Sequence, residues 1–144
     1  MPSIAEVQEE IVQEFEMFDN WEQKYEYIIE LGKELPLIDP KYKVDENLIK
    51  GCQSRVWLHA YLDDNGRIRY TADSDAIIVK GIVALLIRVF DNQLPQDIVD
   101  ADIHFIEKIG LKQHLSPTRA NGLLAMIKQM KYYALAISQL TQPS

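Results

Sequence analysis

The stretch from Ala76 to Phe90 is apolar on nearly every side. Ile77, Ile78, Val79, Ile82, Val83, Leu85, Leu86 and Val89 leave Lys80 and Arg88 as the charged interruptions. A helix that is hydrophobic all round has to be buried all round. The segment is also too short to span a bilayer. The rest of the chain must therefore wrap around it, and the spacing predicts a central helix over roughly 75–90. Gly81 inside that helix marks a point where another element comes close, since it carries no Cβ.

The residues just before this helix change period. Val56, Leu58, Ala60 and Leu62 alternate with Arg55, Trp57, His59 and Tyr61. That alternation reads as a strand with bulky residues on both faces. Asp63-Asp64-Asn65-Gly66 is a hairpin turn, because Asn-Gly tolerates the positive φ angles it needs. Arg67 to Ala72 is the return strand. Asn47 to Lys50 reads as a further short strand, which gives an antiparallel meander of two or three. Ser74 or Asp73 is expected to cap the central helix, with Asp75 in its first turn.

Both flanks are helical. Ser3 with Glu6 fits a capping box, and Ile4, Val7, Ile11 and Phe15 follow at helical spacing. Asp19 with Glu22 fits a second, ahead of Trp21, Tyr25, Ile28 and Leu31. Helices over 3–16 and 19–34 follow, then an ordered connection over 35–46 stiffened by Pro36 and Pro40. Beyond the central helix, Pro95 starts a short helix near 95–100. Another lies over Ile103 to Ile109, closed by Gly110. Ser116-Pro117 opens the last helix with a cap and a proline at its first position. Leu123, Met126, Ile127, Met130, Ala134 and Ile137 face inward there. The fold class is α+β: a small antiparallel sheet packed by five to six helices, in one domain over residues 1–144.

Charge and composition narrow the function. The chain has 22 acidic against 15 basic residues, a formal net charge of −7. Phosphate backbones and anionic membranes repel such a surface, so neither is an expected partner. Met1 to Glu10 are polar and acidic with no apolar run behind them, so a cytoplasmic location is expected. His59, His104 and His114 lack metal-ligand spacing and read as structural. There is no phosphate-cradling loop and no serine nucleophile elbow.

One cysteine is present, Cys52. It excludes an intrachain disulfide and a thiolate-built metal site. A lone cysteine is commonly a small buried hydrophobe. This one lies in the turn Gly51-Cys52-Gln53-Ser54, where Gly51 allows a backbone shape that other residues resist. Lys50 and Arg55 flank the turn and are expected to favour a thiolate. A thiol on a loop held by a rigid sheet suits attack on another sulfur. Arg119 sits in the first turn of the last helix, where the dipole disfavours a cation by about 0.3–1 kcal/mol. It reads either as an exposed or paired arginine, or as a group that orients an anion or a partner. Asp73-Ser74-Asp75 explain themselves as a helix cap unless they lie beside Cys52.

Three stretches together carry a family resemblance. They are Gly51-Cys52-Gln53-Ser54-Arg55-Val56-Trp57-Leu58, then Ala72-Asp73-Ser74-Asp75-Ala76 running on through Ile78-Val79-Lys80-Gly81, then His114-Leu115-Ser116-Pro117 through Arg119, Asn121, Gly122 and Leu123. In their order and spacing the chain resembles the SufE-type sulfur acceptors, which include the CsdE-type proteins. The resemblance runs from about Val7 to Ile137. It implies an α+β fold shared with IscU-type scaffolds, the cysteine lying in a loop beside the sheet. It also implies a partner, a pyridoxal-phosphate-dependent cysteine desulfurase of the SufS or CsdA type. The pyridoxal phosphate belongs to that partner, and no cofactor is expected on this chain. Cys52 would take the outer sulfur of the desulfurase persulfide, stimulate the desulfurase, and pass the sulfur to an iron–sulfur assembly scaffold. Gly51, Gln53, Ser54, Asp73, Ser74, Asp75 and Arg119 would support the loop or dock the partner. The other classes weighed are a cluster-holding scaffold, a thiol peroxidase and an interaction module with an inert Cys52. The single thiol speaks against the first, and the absence of a Thr-x-x-Cys motif against the second.

Overall fold

The computed structural model describes residues 2–141. Met1 and residues 142–144 of the expected domain range lie outside the described residues. The element order is α1 (Ile4–Glu16), α2 (Trp21–Lys33), β1 (Val56–Leu62), β2 (Ile68–Ser74), α3 (Ile77–Phe90), α4 (Pro95–Asp100), α5 (Phe105–Lys108) and α6 (Pro117–Thr141). Short 3-10 turns lie over Pro40–Tyr42, Asp45–Asn47 and Lys112–His114. This is an α+β fold with one two-stranded antiparallel sheet among the described residues.

The all-apolar helix is the axis of the core. Ile78, Val79, Ile82, Val83, Leu85, Leu86, Val89 and Phe90 of α3 are buried in one cluster with side chains of α1, the sheet and α6. Each large side chain taken fully out of water contributes about 1.5–3 kcal/mol. Packing of α2 against α3 depends on two missing methyl groups. A Cβ on Gly81 would lie 2.1 Å from the Ile28 carbonyl oxygen, and one on Gly32 would lie 2.7 Å from the Gly81 nitrogen. The close approach expected at Gly81 is therefore met by α2.

The hairpin pairs Val56 with Ser74, Leu58 with Ala72, and Leu62 with Ile68 on its inner face. Its outer face carries Trp57, His59 and Tyr61 opposite Asp73, Thr71 and Arg69. The connection after α2 folds back over that outer face. The Tyr42 ring stacks on His59 with centroids 3.5 Å apart.

Four local expectations are corrected. Asn47 to Lys50 is not a strand: Asp45–Asn47 forms a 3-10 turn, and Leu48 makes a single bridge to Trp57. The Asn47 side chain donates to the Tyr42 carbonyl at 2.7 Å, which favours that turn over an extended backbone. The cap of α2 is Asn20 rather than Asp19; its side chain accepts from the Gln23 N–H, and Gln23 reaches back to the Asp19 N–H. Asp73 and Ser74 do not cap α3. They belong to β2, Asp75 follows in the turn, and Ala76 at the N-cap position has no side-chain cap bond. The ladder runs on past Ala72 because Arg55 and Asp75 still exchange bonds beyond it.

No helix among the described residues is long and apolar enough to cross a membrane.

Candidate functional site

Gly51 takes φ +92°, in the left-handed region that favours glycine. That value turns the chain sharply between Ile49, buried and bonded to Val56, and the start of β1. Cys52 is thereby pointed inward, against the first turns of α6. Its Sγ donates weakly to the Gly122 carbonyl oxygen at 3.5 Å. Gly122 has no side chain in the way; a Cβ there would lie 3.5 Å from Sγ.

The thiol is half-buried in a small pocket between α3 and α6. Val79, Ile82, Met126 and Gly122 form its apolar floor, and Gln53, Ser54 and Arg119 form its rim. The free space beside the sulfur is about 20 Å³, enough for one water-sized atom. Burial pushes the Cys52 thiol up from its ordinary value. The thiolate expected from Lys50 and Arg55 is thus corrected. Both of those side chains are exposed, and a cation in water does little for a thiol facing an apolar floor.

The acidic turn does come to this loop. Asp75 accepts the Arg55 N–H at 3.0 Å, and its own N–H donates to the Arg55 carbonyl. It therefore anchors the residue at which the Cys52 loop rejoins the sheet. Ser74 is buried opposite Val56, and its hydroxyl accepts the Ala76 N–H at 3.3 Å. Asp73 faces the other side of the sheet. It pairs with Lys43 at 3.0 Å and Lys80 at 3.4 Å. Burial works to raise its carboxyl, but Lys43, the Ser74 N–H and Lys80 outweigh burial and hold it below its ordinary value. Asp73 is thus placed to tie down the connection over 40–47, away from the thiol.

Arg119 lies where the first turn of α6 meets the pocket. Its N–H donates to the Ser116 hydroxyl at 3.3 Å, as the expected cap requires. Its guanidinium is exposed and has no ion pair among the described residues. Val79, Ile82, Gly122 and Met126 line the site, whereas the sequence names them only as core positions or within the family stretches. Their signal is the all-round apolarity of α3 and the short side of α6 at Gly122. No cluster of three or more metal-ligating side chains occurs among the described residues.

These elements define a class: a two-stranded α+β domain that seats one loop thiol between its central and last helices. The chain belongs to the SufE family. Its residues 9–134 match the family model described as the Fe-S metabolism associated domain, which places the chain in iron–sulfur metabolism. It is similar in fold to the solution structure of a hypothetical protein from Thermus thermophilus. That similarity has a TM-score of 0.77 at 18% identity and covers 92% of this chain and 96% of that one.

Proposed function

We propose that Cys52 is a sulfur carrier that accepts a persulfide sulfur from a pyridoxal-phosphate-dependent cysteine desulfurase. It stimulates that enzyme by removing its product and passes the sulfur to an iron–sulfur assembly scaffold. The observation that supports this most directly is the seat of Cys52, a lone thiol against an apolar floor with room for one more atom.

The chemistry is a thiol exchange. The Cys52 thiolate attacks the outer sulfur of the donor persulfide. The donor sulfur–sulfur bond breaks, and its electron pair leaves with the donor cysteine as a thiolate. A Cys52 persulfide forms, and no net oxidation or reduction occurs. Cys52 must lose its proton first, and burial opposes that loss. The loop therefore has to leave its seat as the donor docks, so that the thiol becomes reactive only in the complex. In the free carrier the persulfide returns to the apolar pocket, sheltered from reductants. No second cysteine is present to attack it and release sulfide.

The test is intact-protein mass spectrometry after incubation with cysteine and a desulfurase. The parent chain gains one sulfur atom, and Cys52→Ser gains none. A parent that stays unmodified, or a Cys52→Ser chain that is sulfurated equally, overturns the reading.

A further inference from the structure

The outward side of α6 is unpartnered among the described residues, and its edge at Ala125 borders the Cys52 loop. Leu124, Lys128, Tyr132 and Leu135 follow one another at helical spacing, and all are exposed. Leu124 is 54% and Tyr132 60% accessible. Gly122 touches Cys52 from the buried side of α6, about 200° around the helix from Leu124. Across the Cys52 loop, Ala125 meets Gly51, and Lys50 joins Lys128 and Tyr132 around a shallow depression of about 380 Å³.

The charge on this face runs against the rest of the molecule. Residues 117–141 contain Arg119, Lys128 and Lys131 and no carboxylate, in a chain of net charge −7. Residues 1–34 alone hold ten acidic side chains and two basic ones. Lys131 is turned to the Ala101 carbonyl, but Lys50 and Lys128 have no ion pair among the described residues. A basic strip with apolar members fits an acidic surface that carries apolar side chains of its own.

Size links this strip to the thiol. A stable interface covers about 800 Å² on each partner, a patch about 28 Å across. From Gly122 to Tyr132 is about 15 Å along the helix, at ~1.5 Å per residue. A footprint of that size that includes the Cys52 loop is wide enough to take in Tyr132 as well.

We infer that Lys50, Lys128 and Tyr132 form a docking surface for an acidic, partly apolar face of the sulfur donor, bordering the Cys52 loop where Gly51 meets Ala125. This inference rests on the acceptor reading above. It assigns the orientation of the donor: its footprint runs down α6 rather than across the outer face of the hairpin, where Asp73 and Lys43 already satisfy one another.

The experiment measures docking and sulfuration in parallel, with the full chain and desulfurases of the SufS and CsdA types. Calorimetry reads the dissociation constant, and intact mass reads sulfur on Cys52. Lys50→Glu/Lys128→Glu is expected to weaken docking about tenfold at low salt and to remove most of the salt dependence seen with the parent. Tyr132→Ala is expected to weaken it severalfold at every salt concentration, and Lys33→Glu on α2 to leave it unchanged. If the parent is sulfurated but the double variant and Tyr132→Ala both dock within twofold of it, the surface is wrong and the acceptor reading stands. If neither desulfurase sulfurates the parent, both fall. Self-association of the parent that the double variant loses, with desulfurase docking unchanged, assigns the strip to a second copy and overturns the inference.

Discussion

The Cys52 sulfur rests against the backbone of Gly122, 3.5 Å from its carbonyl oxygen and 3.5 Å from where a Cβ would stand. The second distance is ordinary van der Waals contact, so a methyl group fits without displacing the loop. Gly122→Ala is expected to stabilise the fold by about 0.5–1 kcal/mol, the usual difference between glycine and alanine inside a helix. The same methyl group covers the thiol and takes part of the room beside it. Alkylation of Cys52 and its sulfuration should both slow severalfold. Denaturant unfolding and iodoacetamide kinetics check the pair; a destabilised chain, or one alkylated as fast as the parent, contradicts it.

Asp73 joins the sheet to two lysines from separate elements, Lys43 in the connection over 40–47 and Lys80 in α3. Its side chain is 13% accessible, so the pairs are little screened by water. Asp73→Asn is expected to cost about 1 kcal/mol at neutral pH. The carboxyl lies below its ordinary value in the folded chain. Its contribution is thus fully present above the unfolded value of about 3.9 and is lost as pH falls through the lower folded value. Urea midpoints of parent and variant should differ at pH 7 and converge in acid. A gap that persists at the lowest pH at which the parent stays folded argues against ion pairing as the cause.

Gly81 carries a sharper prediction. Its missing Cβ would stand 2.1 Å from a backbone oxygen of α2, an atom that cannot rotate away. Gly81→Ala must push α2 away from α3. A cost of about 3 kcal/mol or more is expected, at the upper end for overpacking. Calorimetric melting would show it directly. A melting temperature equal to the parent's would mean that α2 and α3 do not cross there.

The same glycine shows what was legible in the sequence. A nearly all-apolar segment with one glycine inside it points to a mostly buried helix with a close neighbour, so α3 and its crossing follow from residue type; only Ile77 at its first turn departs from that, being 67% exposed. Asn65-Gly66 fixed the hairpin for the same reason, through a backbone angle few residues accept. The end of β2 was hidden because Asp73-Ser74-Asp75 is as good a cap as it is a strand end. Only the long-range Arg55–Asp75 pairing decides between them. The ionisation of Cys52 is hidden in the sequence for a similar reason. Lys50 and Arg55 are neighbours in sequence, whereas Val79, Ile82 and Met126 are neighbours in space, and the apolar floor governs the thiol.

Arg119 separates docking from stability. Its exposed guanidinium stands at the N-terminal end of α6, where the helix dipole repels a cation, and no carboxylate among the described residues offsets that. Removing the charge should therefore leave the fold unchanged or more stable by a few tenths of a kcal/mol. The same group sits on the rim of the Cys52 pocket, where an arriving donor must pass. Arg119→Ala is thus expected to slow sulfur transfer about tenfold while its melting temperature stays level or rises slightly, since charge-assisted contacts between partners are worth about 1.5–3 kcal/mol. Arg119→Lys should recover part of the rate, because it keeps the charge but not the planar fork. Paired melting curves and sulfuration time courses decide the matter. A normal transfer rate with a lowered melting temperature would show that Arg119 serves the fold and not the site.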